Sequence, residues 1–261
     1  MPSASIAFIV FVFGSLIGSF LNVCIYRLPK GKSIIRPPSQ CTKCNTPIQW
    51  YDNVPIISFL LLRGRCRACK APISPRYLVV EVLTAALAVA LFYAFGLSPK
   101  FLAYSILTAG LIVATFVDFE IQAIPDHVTV VGLMLGLAVS AVFPSIFDEV
   151  SLFRGLVASI LGAATGGVII YLMGFFGKAV FKKEAMGEGD IFLMAMIGSF
   201  LGWKLVLLAF FMAPFFGLAQ GIVVKLRRTG DYIPYGPYLS MGAIVAVFFG
   251  QKIINLLFYG L

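Results

Sequence analysis

Long apolar stretches dominate the chain, and its polar residues collect in the gaps between them. A membrane-crossing helix needs about 17–25 mostly apolar residues. The pattern predicts about eight, at roughly 6–28, 77–96, 101–118, 126–144, 153–177, 190–201, 204–225 and 237–258. The sixth is the shortest. The first is not expected to be a cleaved signal: Met1 to Ser5 ahead of it include no basic residue, and its apolar run is too long for an h-region.

Composition agrees with this pattern. Of 261 residues, 60% are hydrophobic and only 12% charged, with a mean hydropathy of +0.99. So few charges cannot cover a water-facing surface, which excludes an ordinary soluble enzyme. Cysteine density excludes a secreted disulfide scaffold, and hydrophobicity excludes a disordered chain. The expected class is an all-α polytopic membrane protein in the lipid bilayer.

Charge then sets the orientation. With the N-terminus outside, the inward loops are 29–76, 119–125, 178–189 and 226–236. They and their edges hold 16 of the 20 Lys and Arg residues, leaving Lys100, Arg154, Lys204 and Lys252 on the other face. Basic residues collect on the cytoplasmic side, so the N-terminus is expected outside. The net charge of +9 needs no nucleic-acid partner to explain it. Glycine pairs four residues apart (Gly14/Gly18, Gly132/Gly136, Gly162/Gly166, Gly217/Gly221) read as close helix packing in lipid, without chemistry.

Loop 29–76 interrupts the apolar pattern. It carries Pro29, Pro37, Pro38, Pro47, Pro55, Pro72 and Pro75, and four of the five cysteines. Cys41-Thr-Lys-Cys44 and Cys66-Arg-Ala-Cys69 are two Cys-x-x-Cys knuckles separated by 21 residues, close to zinc-ribbon spacing. Four thiolates in a tetrahedron suit a structural Zn²⁺, with no open position for catalysis. The competing reading is a pair of redox thiols; a reducing cytoplasm disfavours disulfides. Cys24, alone in the first span, reads as a small hydrophobe.

The acids are scarce, and three fall where acids are costly. Asp118 closes the third span, Asp126 starts the fourth after Pro125, and Asp190 opens the sixth in Met186-Gly-Glu-Gly-Asp190. An orientation deduced from Lys and Arg alone puts all three on one face. Two carboxylates that meet cannot both ionise cheaply, so one can take a proton from water while the other donates to a scissile carbonyl. As isolated acids they could equally cap helices or pair with headgroups, and Asp126 reads best as a cap. His127, the only histidine, lacks partners for a triad or a zinc-protease motif. A transporter would place its acids near the bilayer midplane, whereas these sit at span ends.

Taken in order along the chain, these motifs resemble the type IV prepilin peptidases, aspartyl membrane proteases with a Gly-x-Gly-Asp motif. The resemblance is carried by Gly18-Ser-Phe-Leu-Asn-Val-Cys-Ile-Tyr-Arg27-Leu-Pro29, both cysteine knuckles, Trp50-Tyr-Asp-Asn-Val-Pro55, Leu62-Arg-Gly-Arg-Cys66, Ile73 through Glu81, Asp118 with Ile124-Pro-Asp126, Gly187-Glu-Gly-Asp190, and Ile233-Pro-Tyr-Gly-Pro237-Tyr. It implies a bacterial inner-membrane enzyme that cuts the basic leader of type IV prepilins or pseudopilins after a glycine, at the cytoplasmic face. It further implies Asp118 and Asp190 as the catalytic pair and N-methylation of the new N-terminus from S-adenosyl-L-methionine. Cys41, Cys44, Cys66 and Cys69 remain the expected Zn²⁺ ligands. The chain would divide into a first helix (1–28), a zinc-ribbon-like cytoplasmic domain (29–76) and a membrane-embedded peptidase bundle (77–261).

Overall fold

A computed structural model describes residues 3–181, 187–227 and 234–260, with side chains omitted at a few helix ends. Lys182, Lys183, Met186, Arg228 and Ile233, which entered the sequence reading, lie outside the described residues. The described chain is helical, with no β-strand; only the isolated bridges Gln40–Pro47 and Arg65–Pro72 are of β type. It divides into two compact units, Met1–Gly96 and Leu97–Leu261.

The first unit is a helix pair with a module between its ends. Helix α1 (Ala4–Arg27) begins at Ser3, whose hydroxyl accepts from the Ile6 amide at 3.4 Å. Helix α3 (Arg76–Phe95) ends at Gly96 in a positive-φ conformation. Gly14 and Gly18 lie on α3: a β-carbon at either would come within 2.8 Å of the Ala85 or Glu81 Cα. The glycines thus let the two backbones touch, as the small-residue pattern predicts. The intervening module contains the short helix α2 (Ile57–Leu61) and is tied to the pair by buried polar groups. The Arg27 guanidinium donates to the Ser33 and Pro37 carbonyls at 3.0 and 2.8 Å, closing the start of the loop.

The second unit holds α4 (Pro99–Ile121), α5 (Asp126–Val142), α6 (Leu152–Phe181), α7 (Glu188–Arg227) and α8 (Gly236–Tyr259). Across both units, six described helices are long and apolar enough to cross a membrane: α1, α3, α4, α6, α7 and α8. Helix α5, in place of the expected 126–144 crossing, is a shorter apolar helix of 17 residues. Its rise of about 25 Å is at the lower limit for crossing a hydrocarbon core of about 30 Å.

The expected sixth and seventh spans both lie in α7, which is not one straight rod. Gly202 breaks it at φ 74°, ψ 172°, a conformation essentially restricted to glycine. A β-carbon at Gly166 of α6 would meet both the Met194 carbonyl and Val206 Cγ2, the latter at 3.1 Å. An unbroken helix would separate residues twelve apart by about 18 Å. The chain therefore folds back at Gly202, and its two limbs lie side by side against α6. Gly162 packs on Gly198 and Gly202, Gly132 on Met196, Gly136 on Ser199 and Phe200, and Gly217 on Tyr238; Gly221 lies beyond the residues whose side chains are described. This contact surface is the core of the unit: Leu193, Met194, Met196, Ile197 and Phe200 are all buried. Ser140, Ser159 and Ser199 are hydrogen-bonded within it, Ser159 donating to the Ser199 carbonyl at 2.6 Å.

Candidate functional site

Asp118 lies one turn before the end of α4 and is 5% exposed. Helix α4 stops at Gln122, whose left-handed backbone (φ 54°) turns the chain and brings its amide to the Asp118 carbonyl at 2.9 Å. The returning segment buries Ile124 before Pro125 starts α5. Asp190 is 8% exposed, in the first turn of α7. Its Oδ2 accepts from the Gly187 amide at 3.2 Å, so the carboxylate also satisfies a free amide at the helix start, where negative charge is favoured.

The first turn of α8 completes the arrangement. The Gly236 amide donates to Asp118 Oδ2 at 3.1 Å. A β-carbon at Gly236 would stand 2.8 Å from that oxygen and 2.9 Å from Ile124 Cδ1, so only glycine fits. On its other side Ile124 fills the space beside Gly189, where a β-carbon would lie 3.0 Å from Ile124 Cβ. Ile124 is thus wedged between the glycine that carries the Asp118 bond and the glycine preceding Asp190. The two carboxylates, from α4 and α7, are thus held by supports that share Ile124. Each uses Oδ2 for a backbone amide, and neither Oδ1 makes a hydrogen bond among the described residues. Burial, and then the Asp190 charge, push the Tyr235 phenol above its ordinary value.

Asp126 does not join this arrangement, and the expected cap is not formed. Pro125 takes the cap position without a side-chain bond, and Asp126 is exposed as the first helical residue. Only its backbone carbonyl is engaged, by the Thr129 hydroxyl at 3.2 Å. His127 is also exposed.

The four cysteines form a second cluster, in the first unit. Their sulfurs all lie within 4.8 Å of one another, with Cys41–Cys69 at 3.8 Å and Cys44–Cys66 at 4.0 Å. Tetrahedral ligands at a Zn–S distance of about 2.3 Å stand about 3.8 Å apart, so the cluster has the size of a metal site. The two knuckles share one backbone plan. The amides of Cys41 and Cys66 reach the carbonyls of Thr46 and Ala71 at 3.0 and 2.9 Å, and those of Asn45 and Lys70 return to Cys41 and Cys66 at 2.9 and 3.0 Å. Asn45 and Lys70 take the left-handed conformation that closes each turn. Hydrogen bonding with Thr46 brings the Cys44 thiol down to about 6. Cys69 receives a lowering bond from the Ala71 amide, yet its hydrogen bond with Cys44, burial, and those with Cys66 and Cys41 push it up to about 11. Sulfurs this close cannot all be thiolates without a cation, so metal binding would displace protons. All four can hold a metal ion, and among the described residues no disulfide forms.

Sequence reasoning missed two buried anchors. Glu81, 7% exposed on α3, accepts from the Ile56 amide at 2.7 Å. It holds Ile56 at φ 64°, a left-handed conformation costly for a β-branched residue. Asn22 donates to the Tyr77 carbonyl at 3.0 Å. The signal available was a glutamate inside an apolar span, which the acid survey passed over.

Comparison with known proteins bears on both clusters. Residues 12–95 match the bacterial peptidase A24 N-terminal domain, and residues 105–222 match the type IV leader peptidase family. A prepilin leader peptidase/N-methyltransferase of Myxococcus xanthus is 39% identical over 84% of this chain, which spans 63% of that relative's length. Proteins of the same name from Aeromonas hydrophila and Pseudomonas aeruginosa are 35% and 32% identical, over 94% and 97% of this chain and 91% and 94% of theirs. No solved structure matches the chain. With relatives aligned over nearly their whole length and both halves matched in order, the chain belongs to the type IV leader peptidase family.

Proposed function

We propose that this protein is a prepilin endopeptidase that cuts the basic leader from type IV prepilins or pseudopilins after a glycine, with Asp118 and Asp190 as the catalytic pair. The observation that carries this reading is that two buried carboxylates, from α4 and α7, are each anchored by one backbone amide beside glycines that pack on the same residue, Ile124, with the other oxygen of each free of hydrogen bonds among the described residues. The open oxygens are where water and a peptide carbonyl would be engaged. One carboxylate, ionised, takes a proton from the attacking water, and the other, protonated, gives one to the carbonyl oxygen; the leaving amine then receives a proton from the pair. Gly236 and Gly187 hold the acids in place, and Ile124 fixes the distance between their supports.

The relatives' names also support transfer of a methyl group to the newly exposed N-terminus, with S-adenosyl-L-methionine as donor. Cys41, Cys44, Cys66 and Cys69 would hold one structural Zn²⁺, which supplies cross-linking energy to a module too small for a large core and takes no part in the hydrolysis. In this reading the chain is a multi-pass protein of the bacterial inner membrane, N-terminus outside, with both clusters facing the cytoplasm. It makes eight crossings, since the fold-back at Gly202 divides α7 into outward and returning limbs and α5 is the short fourth. Helix 1–28, the cysteine domain 29–76 and the bundle 77–261 divide the work between anchoring, the metal module and proteolysis.

Co-expression with a candidate prepilin, followed by mass measurement of its N-terminus, tests both activities. A product shortened by the leader and heavier by one methyl group supports the reading; an intact prepilin overturns it.

A further inference from the structure

The cysteine module exposes a surface that neither the metal site nor the peptidase explains. Between α1 and α3 the chain carries eight Lys and Arg residues and one acid, Asp52. Asp52 is already paired, accepting Arg67 Nε and Nη2 at 2.7 and 2.6 Å, which holds its carboxyl below the usual range. Arg63, Arg65 and Lys70 make no ion pair among the described residues. These three line a cavity of about 400 Å³ whose remaining wall is Leu61, Leu62 and Cys66. The cavity therefore joins a cationic side to an apolar one.

The apolar side continues outward. Leu60 and Leu61 of α2 are 61% and 78% exposed, and Trp50 is 81% exposed. Ser58 of α2 donates to the Tyr51 carbonyl at 3.0 Å, which holds the turn bearing Trp50 beside that helix. Left in water, such a cluster would be costly; tryptophan beside leucine and unpaired cations is instead the pattern of a membrane–water interface. Both ends of the module run directly into the apolar helices α1 and α3, so it cannot leave the vicinity of the bilayer.

We propose that this face docks on the membrane surface, with Trp50, Leu60 and Leu61 in the interface and Arg63, Arg65 and Lys70 holding the phosphate of an anionic lipid. A basic prepilin leader fits the cavity poorly, because three unpaired cations would repel it, whereas a lipid phosphate with its acyl chains matches both walls. The inference rests on the proposed orientation only for which leaflet is bound.

Nanodiscs, which present the same lipids on both faces, make the test independent of that orientation. Full-length protein carrying Trp203→Phe retains Trp50 as its single tryptophan. Its emission is compared in discs of plain and brominated phosphatidylcholine, with and without phosphatidylglycerol. The expected result is bromine quenching of Trp50 that strengthens with phosphatidylglycerol and weakens at high salt. Combining Arg63→Gln, Arg65→Gln and Lys70→Gln should remove the phosphatidylglycerol-dependent part, with the metal content showing that the module is still folded. Emission indifferent to bromine overturns the docking, and so does emission that responds only to an added prepilin. Quenching indifferent to phosphatidylglycerol and salt overturns the anionic-lipid site.

Discussion

The Gly236 amide donates to Asp118 Oδ2 at 3.1 Å, joining residues 118 positions apart in sequence. This bond fixes one carboxylate against the start of a helix laid down long after it. A methyl group at Gly236 would stand 2.8 Å from the oxygen and displace it. Gly236→Ala should therefore lower leader cleavage on the order of a hundredfold, the cost of a misplacement of about an ångström. Steady-state cleavage of a prepilin in detergent checks this, with thermal unfolding to show that the bundle persists. Unchanged cleavage would mean the bond does not position Asp118.

The cysteine cluster makes a prediction about metal. Freshly purified, reduced protein should contain about one Zn²⁺ per chain by elemental analysis, falling toward zero in Cys41→Ser or Cys69→Ser. Protons compete with the metal for the thiolates, so chelator removal should become easier as pH falls. Metal-free reduced protein at neutral pH would contradict the assignment.

The fold-back at Gly202 makes a prediction about topology. If α7 turns at the outer face, a membrane-impermeant thiol reagent should label Lys204→Cys in intact cells. It should fail to label Gln122→Cys until the membrane is permeabilised. Equal protection of both positions would contradict eight crossings.

What the sequence made legible follows from how local each signal is. The cysteine knuckles are short motifs whose turns close on themselves, so their spacing alone implied the cluster that the folded module forms. Asp118 and Asp190 were legible because acids are expensive in apolar helices and charge counting put both on one face. Gly236 and Ile124 were not, since their roles exist only once α4, α7 and α8 have packed. Asp126 misled because a proline ahead of an aspartate suggests a cap, yet Pro125 itself takes the cap position and leaves the side chain in solvent. The single helical run across Gly202 hides a reversal that hydropathy reads as two spans and helix continuity reads as one; contacts on both sides of Gly166 distinguish them.

The central claim is that Asp118 and Asp190 act together on one peptide bond. Mass measurement of a prepilin's N-terminus after incubation with Asp118→Asn or Asp190→Asn tests it directly. Each substitution keeps size and hydrogen-bonding capacity but cannot exchange the catalytic proton. Cleavage should fall on the order of 10²–10⁴-fold or more in both variants, while a pre-cleaved substrate is still methylated. Cleavage at the unsubstituted rate in either variant would contradict the claim.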